Sequence, residues 1–494
     1  MNIREAKNEI KDTIEAYLLK DETGSYVIPV EKQRPILLMG PPGIGKTAIM
    51  EQVSRECGIN LVAYTITHHT RQSAIGLPFI REREYGGRNY SVTEYTMSEI
   101  VASIYEQIEK SGIQEGILFL DEINCVSETL APTMLQFLQY KSFGTHRIPD
   151  GFVIVTAGNP PEYNKSVRDM DVVTLDRVKK IDIDADFEAW KEYAYKTGVH
   201  GSILAYLEIR RENFYHIRTE VSGRRFVTAR GWEDLSRLIQ VYEKLGKPVT
   251  ANTTVQYLQD PEIAEDFAVY YELYRKYRDV YRIPEILSGW IPEEKETMQR
   301  APFDEKLSLI GLLIDSLGNR FRSYAEDLEL QRALFGILKE IKTGIKDPEM
   351  SVSGVLKQKR MQLQHELDRQ TEAALLDKEQ IRIRKKLLLL LSEAEKEEYT
   401  FAEIKAWFGK REAERKQAIE DTGNELTNAF TFLEQVFGEG QEMVIFLTEL
   451  TAGYYSLKYV RECGNDTYYK FNRLLLMKDR RTELREDLLT MMEV

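Results

Sequence analysis

Short, uninterrupted apolar runs punctuate the first third of the chain. Ile36–Met39, Leu61–Thr65, Gly116–Leu120, Phe152–Ala157 and Val178–Ile183 are each four to six residues long, separated by longer segments of helical character. Runs this short and this apolar suit strands buried on both faces. Their alternation with helical segments predicts a parallel sheet with crossover helices over residues 1 to about 185. Residues 186 to about 300 lose the strand signal and turn helical, rich in Tyr, Arg and Glu, and residues 301–494 read as helix only. Within that last part, 353–420 is the most charged stretch, with Leu356, Leu363, Leu367, Ala374 and Ile381 at partly heptad spacing. A helical hairpin or an imperfect coiled coil is expected there, its seam interrupted by Arg360 and Gln370. No internal repeat or low-complexity linker stands out.

The 494 residues are 43% hydrophobic and 30% charged, the profile of a soluble globular chain with room for two to four domains. The formal net charge of −13 lowers the expectation of a large DNA footprint without excluding a local basic groove. Cys57, Cys125 and Cys463 are far apart and show no C-x-x-C spacing, which argues against a disulfide framework or zinc site and suits a reducing compartment. The N-terminal segment reads as a charged amphipathic helix rather than a signal peptide, and the most apolar run, Leu387–Leu391, is far short of the ~20 residues that span a bilayer. A cytoplasmic location is expected.

The candidate chemistry lies at the ends of the apolar runs. Ile36–Met39 is followed by Gly40-Pro41-Pro42-Gly43-Ile44-Gly45-Lys46-Thr47, which fits G-x-x-x-x-G-K-[ST], and then by a helical run from Ala48. Glycines let the loop backbone aim its N–H groups at phosphate oxygens, and the helix N-terminus adds its dipole. Lys46 is the expected ligand of the β- and γ-phosphates and Thr47 of Mg²⁺, while loop residues Gly40 to Ala48 form the nucleotide contact. The bland alternative is a Gly/Pro surface turn, which the partner motifs disfavour. The run Gly116–Leu120 ends in Asp121 and Glu122, suited to holding the metal ion and to acting as general base, with Asn124 close behind. The run Phe152–Ala157 leads to Asn159-Pro160, where Asn159 can orient a lytic water or form a plain turn. Arg177, before Val178–Ile183, is an arginine-finger candidate, with Arg168 competing. Arg230 stands near a helix start with Trp232 expected beneath it. For each of these arginines an ordinary surface role is the rival reading. His68-His69 lacks partners at ligand spacing and reads as loop; the Tyr-rich 270–277 and the pair Trp407-Phe408 read as helix packing.

Together these segments resemble the AAA+ ATPases in order and spacing and, more narrowly, the MoxR family and its dynein-related relatives. GPPGIGKT (40–47) matches that family's Walker A and ILFLDE (117–122) its Walker B. TAGNP (156–160) matches sensor 1, and LDRV (175–178) resembles the arginine-finger segment. TARGWEDLS (228–236) resembles the sensor 2 helix, with Ala229 where Pro is usual. His68 to Pro78 sits where the family begins its helix 2 insert, and Tyr140 to Gly151, with Gly144 at a turn, where it has a hairpin before sensor 1. The resemblance covers about residues 1–300. It implies an α/β P-loop NTPase core (1–185), a helical lid with sensor 2 (186–300) and an all-α extension (301–494). The catalytic set is then Glu122, Asn159, Arg177 and Arg230, with Thr47 and Asp121 on the metal.

The function this implies is Mg²⁺-dependent ATP hydrolysis that drives remodelling, chaperoning or maturation of a partner protein. A homo-oligomeric ring, expected to be a hexamer, and a von Willebrand factor A domain partner follow from the resemblance, and nucleic acid is not the expected ligand. Two readings from other classes stay open. One is a nucleic-acid motor or restriction-type NTPase, for which Lys141, His146 and Arg147 are the hint. The other is a non-hydrolysing nucleotide-gated scaffold, against which Lys46, Asp121 and Glu122 argue.

Overall fold

In a computed structural model of the chain, the described residues are 1–68, 74, 76–143, 145–163, 167, 170, 172–220, 223–293, 295–344, 351–397 and 399–474. They form two compact units. One comprises Met1–Ala189 with Gln362–Arg382, the other Trp190–Met361 with Ile383–Val494.

The first unit is built on a five-stranded sheet. Its strands are β1 (Ile36–Met39), β2 (Asn60–Thr65), β5 (Gly116–Asp121), β8 (Phe152–Gly158) and β9 (Lys179–Asp182), in the order β2-β5-β8-β1-β9. Every pairing in it is parallel. The three central strands are buried almost throughout, which is why they appear in the sequence as unbroken apolar runs. The two edges are blunted differently. β9 carries Lys179, Lys180 and Asp182 around the single buried Ile181, while β2 alternates buried and half-exposed positions. The N-terminal helix Ile3–Leu18 starts at a capping box between Asn2 and Glu5 and buries Ala6, Ile10, Thr13 and Ile14. Lys179 ties it to the sheet edge, its Nζ donating to Glu9 Oε1 at 2.5 Å and Thr13 Oγ1 at 2.7 Å. The opposite layer packs Ile100, Val101, Ile104, Met134 and Phe137 against Leu118, Leu120 and Ile154.

Two antiparallel ribbons depart from the sequence expectations. β3 (Pro78–Tyr85) and β4 (Arg88–Tyr95) pair along their full length around Gly86-Gly87, where no strand was expected. Both glycines have positive φ, 60° and 76°, the conformation a two-residue hairpin turn requires. The ribbon is exposed on both faces, so it carries no apolar alternation to reveal it. β10 (His216–Glu220) and β11 (Gly223–Val227) likewise correct the all-helical expectation for 186–300; they are five residues each and, apart from Val227, show no buried position among the described residues. The hairpin expected at Tyr140–Gly151 is present as β6 (Ser142–Phe143) and β7 (His146–Arg147), with Gly144 outside the described residues. The expected insert at His68–Pro78 falls largely outside them as well.

The second unit beyond residue 300 is all helix among the described residues. The 42-residue helix Phe303–Gly344 packs Leu313, Leu317 and Phe321 against Leu426, Phe430 and Leu433 of the helix Phe401–Phe437, and Phe446 and Tyr459 close the core. Phe430 meets Phe446 edge-on at 5.1 Å. Tyr271 and Tyr274 are buried, as helix packing requires, and Phe408 pairs with Phe335 at 6.0 Å. A buried charge cluster joins three helices: the ammonium of Lys191 meets both Glu208 and Glu449, and Tyr195 donates to Glu449. Leaving one of these charges unpaired would cost about 3–5 kcal/mol. Helices Val352–Glu372 and Lys378–Lys396 lie where a hairpin was expected; Arg360 Nε bonds Glu395 Oε2 across them at 2.7 Å. No helix among the described residues is long and apolar enough to cross a membrane.

Lys141 is a buried cation of the first unit, 4% exposed, with no ion-pair partner among the described residues. Its ammonium donates to Gln33 Oε1 and the Phe152 carbonyl, at 3.0 and 3.2 Å. Burial pulls its pKa down to about 8, with Arg147 adding to the effect and Asp150 and Glu31 opposing it. From about pH 8 to the ordinary value of 10.5, the unfolded chain holds a proton that the folded chain has released. Raising pH through that window therefore favours the folded form, by about 1–3 kcal/mol. Thermal unfolding of wild type and Lys141→Met from pH 7 to 10 should show the variant ahead at pH 7 and the gap closing by pH 10. A gap independent of pH would refute the assignment.

Candidate nucleotide site at the strand ends

The sheet order places the C-terminal ends of β5, β8 and β1 side by side, and each end carries a polar group of the sequence-derived set. The loop after β1 is anchored at its start, where Gly40 N–H reaches the Gly158 carbonyl at 3.4 Å. A Cβ on Gly40 would lie 2.6 Å from the Ile183 carbonyl, so this position demands glycine. Pro41 and Ile44 are buried; Pro42, Gly43, Gly45, Thr47 and Ala48 are partly open. Gly45 caps the helix Lys46–Cys57 at φ 99°, a left-handed conformation that brings the loop onto the helix axis.

Lys46 is the hub. Its side chain is buried, and Nζ donates to the Gly40 carbonyl (2.8 Å), the Pro41 carbonyl (2.8 Å) and Asn159 Oδ1 (2.9 Å). Three N–H donors meet three acceptors, so the ammonium is buried at little cost. One of those acceptors is the sensor candidate on the next strand. Thr47 Oγ1 lies 3.4 Å from Asp121 Oδ2, at the outer limit of a hydrogen bond. A hydroxyl beside a carboxylate is an all-oxygen donor pair, which fits a hard cation such as Mg²⁺.

Glu122 has φ 57°, a left-handed conformation uncommon outside glycine that costs about 1–2 kcal/mol. Its N–H offsets part of this by bonding Asp121 Oδ1 at 2.9 Å. The turn brings the carboxylate to the segment after β2, where the Thr67 hydroxyl donates to Oε2 at 2.9 Å. Asn124 Nδ2 holds the Asn159 carbonyl at 2.8 Å, and a Cβ on Gly158 would collide with the Asn124 amide at 2.6 Å. Thr67 is not among the residues that the sequence motifs mark. Its signal is weak: a hydroxyl two residues past β2, meaningful only once β2 is known to pair with β5. Cys125, nearby, is held as a thiol, its pKa pushed up by burial and then by Glu122 and Asp121.

Lys46, Thr47, Asp121, Glu122 and Asn159 thus converge. Arg177 does not join them. It is exposed just before β9, which runs parallel to β1 with Lys179 opposite Ile36 and Asp182 opposite Met39. Arg177 precedes the N-terminal end of β9, and the three steps from Lys179 to Asp182 alone put that end about 10 Å along the strand from the phosphate-loop end. Arg168 lies outside the described residues. Arg230 belongs to the second unit, exposed at the start of the helix Ala229–Leu245. There Thr228 caps Gly231 N–H, and Trp232 is fully buried with Nε1 donating to the Asn213 and Phe214 carbonyls at 3.2 Å each.

A lysine, a hydroxyl and two carboxylates at the ends of adjacent parallel strands can bind a metal-chelated polyphosphate and activate a water beside it. No curated protein matches the chain. Residues 36–174, from β1 to the helix Val172–Leu175, match the model of the ATPase family associated with various cellular activities (AAA). This segment is an AAA domain, and an AAA domain implies a nucleotide-binding ATPase of the AAA+ class.

Proposed function

We propose that the chain is a MoxR-like AAA+ ATPase that hydrolyses Mg·ATP to remodel or mature a partner protein. On this reading it works as a homo-oligomeric ring, a hexamer by resemblance, beside a protein carrying a von Willebrand factor A domain. The observation that carries it is the convergence of Lys46, Thr47, Asp121, Glu122 and Asn159 at three adjacent strand ends. The buried Trp232 in the first turn of the Thr228-capped helix supports the narrower likeness, because it anchors the segment that carries Arg230. Residues 1–185 form the nucleotide core, 186–300 the lid and 301–494 a partner or assembly module.

The steps follow from the side chains. Lys46 exchanges loop carbonyls for β- and γ-phosphate oxygens as the nucleotide enters. Thr47 and Asp121 would hold Mg²⁺, which when bound neutralises charge between those phosphates. Glu122 takes the proton of the attacking water, and Asn159 orients that water. The Thr67 hydroxyl donates to Oε2 of Glu122 and so steadies the carboxylate, leaving its other oxygen to accept that proton. Arg177, at the far end of β9, is suited to the γ-phosphate of a neighbouring subunit rather than its own.

Lys46→Ala should weaken ATP binding at least 100-fold. Glu122→Gln should bind ATP normally and lose 10²–10⁴ in turnover, the usual worth of a general base, roughly stated. Nucleotide titration beside steady-state hydrolysis measures both, and wild-type turnover in Glu122→Gln would sink the assignment. Arg177→Ala should keep ATP affinity and lose roughly 10³–10⁵ in turnover. Mixing it with Glu122→Gln should restore part of the rate, since some interfaces then join an intact base to an intact finger. Full activity in Arg177→Ala, with the loss appearing in Arg168→Ala instead, would move the finger to Arg168.

A further inference from the structure

The β3–β4 ribbon sorts its side chains by face. Directly paired residues of an antiparallel ribbon share a face and alternate positions switch it. The register Phe79↔Glu94, Arg81↔Val92, Arg83↔Tyr90 and Tyr85↔Arg88 therefore collects all three arginines of the ribbon on one side, with Phe79, Tyr85 and Tyr90 between them. That side has one acid, Glu94, which pairs with Arg83 and, at 3.6 Å, with Arg81. The other side has Glu82 and Glu84 and no base. Three cations against one anion leave a net +2 on the first face and −2 on the second. The rings are exposed: Phe79 is 41%, Tyr85 54% and Tyr90 49% accessible, and Tyr85 and Tyr90 stand 6.2 Å apart. Arg88 has no ion-pair partner among the described residues.

We propose that this face binds single-stranded nucleic acid, its arginines on the phosphates and its rings against the bases. A ribbon that is merely solvated has no reason to sort charge sign by face and to set three of its four aromatic rings among the cations; the fourth, Tyr95, lies on the acidic face. An acidic polypeptide would satisfy the arginines but offers a flat surface only where it carries an aromatic or arginine side chain, whereas every nucleotide carries a base. A duplex keeps its base faces stacked inside, so the rings select an open strand. The net charge of −13 does not forbid this, because at ~0.1 M salt charges beyond about 10 Å are largely screened and the local face decides. The ribbon replaces the Tyr140–Gly151 segment as the place for such a contact. There Lys141 is buried, and Arg147 faces two acids, Glu31 at 3.2 Å and Asp150 at 3.5 Å, which leaves no net positive charge, whereas the three ribbon arginines share the single Glu94. The inference stands apart from the hydrolytic reading, since it concerns a binding face and is read without turnover.

The test is fluorescence anisotropy of a labelled 20-nucleotide mixed-sequence DNA strand with the full-length protein, at several salt concentrations and with a non-hydrolysable ATP analogue present. Binding should weaken with salt at a log–log slope of about −2, the value for three phosphate contacts. The triple variant Arg81→Gln/Arg83→Gln/Arg88→Gln should lose at least tenfold in affinity and bring the slope near zero. Tyr85→Ala/Tyr90→Ala should weaken binding roughly tenfold or more with the slope unchanged. Glu82→Gln/Glu84→Gln, on the opposite face, should leave affinity within about twofold. All variants should bind the nucleotide normally, which certifies the fold. Absence of oligonucleotide binding at 50 mM salt, or binding that the arginine triple leaves intact, overturns the proposal. So does competition by polyglutamate as strong as by unlabelled oligonucleotide with no effect of the tyrosine variant, which would mark the face as a polypeptide site.

Discussion

The candidate site depends on a buried ammonium. Lys46 Nζ bridges the carbonyls of Gly40 and Pro41 to the side chain of Asn159, so one charge fixes the curl of the phosphate loop and joins it to the tip of β8. A buried cation is tolerated only when its donors are satisfied, and here three acceptors from two strand ends supply that. The arrangement exists because β8 lies between β5 and β1 in the sheet. Asn159 is then within reach of the loop, and Asp121 stands within reach of Thr47. A different strand order would leave the same residues in sequence without making a site.

The parts legible in the sequence are those whose burial is one-dimensional. β1, β5 and β8 are covered on both faces, so each strand is an apolar run followed by its polar tip, and the helical character beyond residue 300 follows from composition and the absence of strand runs. The ribbons β3–β4 and β10–β11 escaped because neither has a buried face to imprint a period of two; Gly86-Gly87 alone marked the first. Thr67 escaped for another reason. Its bond to Glu122 joins residues 55 apart and exists only through the pairing of β2 with β5. The charge cluster of Lys191, Glu208 and Glu449 is of the same kind: each residue alone looks like a solvated charge on a helix. Lys141 shows the converse error, a cation that suggested a nucleic-acid contact and is instead buried.

Strain and satisfaction are concentrated at the same place. Glu122 takes a left-handed backbone directly after the buried β5, and Asn124 wedges against the bare Cα of Gly158. Residues held this way keep their geometry only because the surrounding strands over-determine it. In the proposed function, that rigidity would suit Glu122 as a base and Asn159 as a water-orienting amide. In the proposed ring, the complementary group at the far end of β9 would arrive from a neighbour, so assembly and hydrolysis would be linked by topology.

The most direct test of the strand-end site is its metal ion. Mn²⁺ can replace Mg²⁺ among oxygen ligands and is read by electron paramagnetic resonance. Wild-type protein should take up one Mn²⁺ per chain only when ATP is present, and Thr47→Val, which removes the hydroxyl beside Asp121, should lose that uptake while keeping its fold. Unchanged ATP-dependent Mn²⁺ binding in Thr47→Val, or none in the wild type, would contradict the assignment of this site.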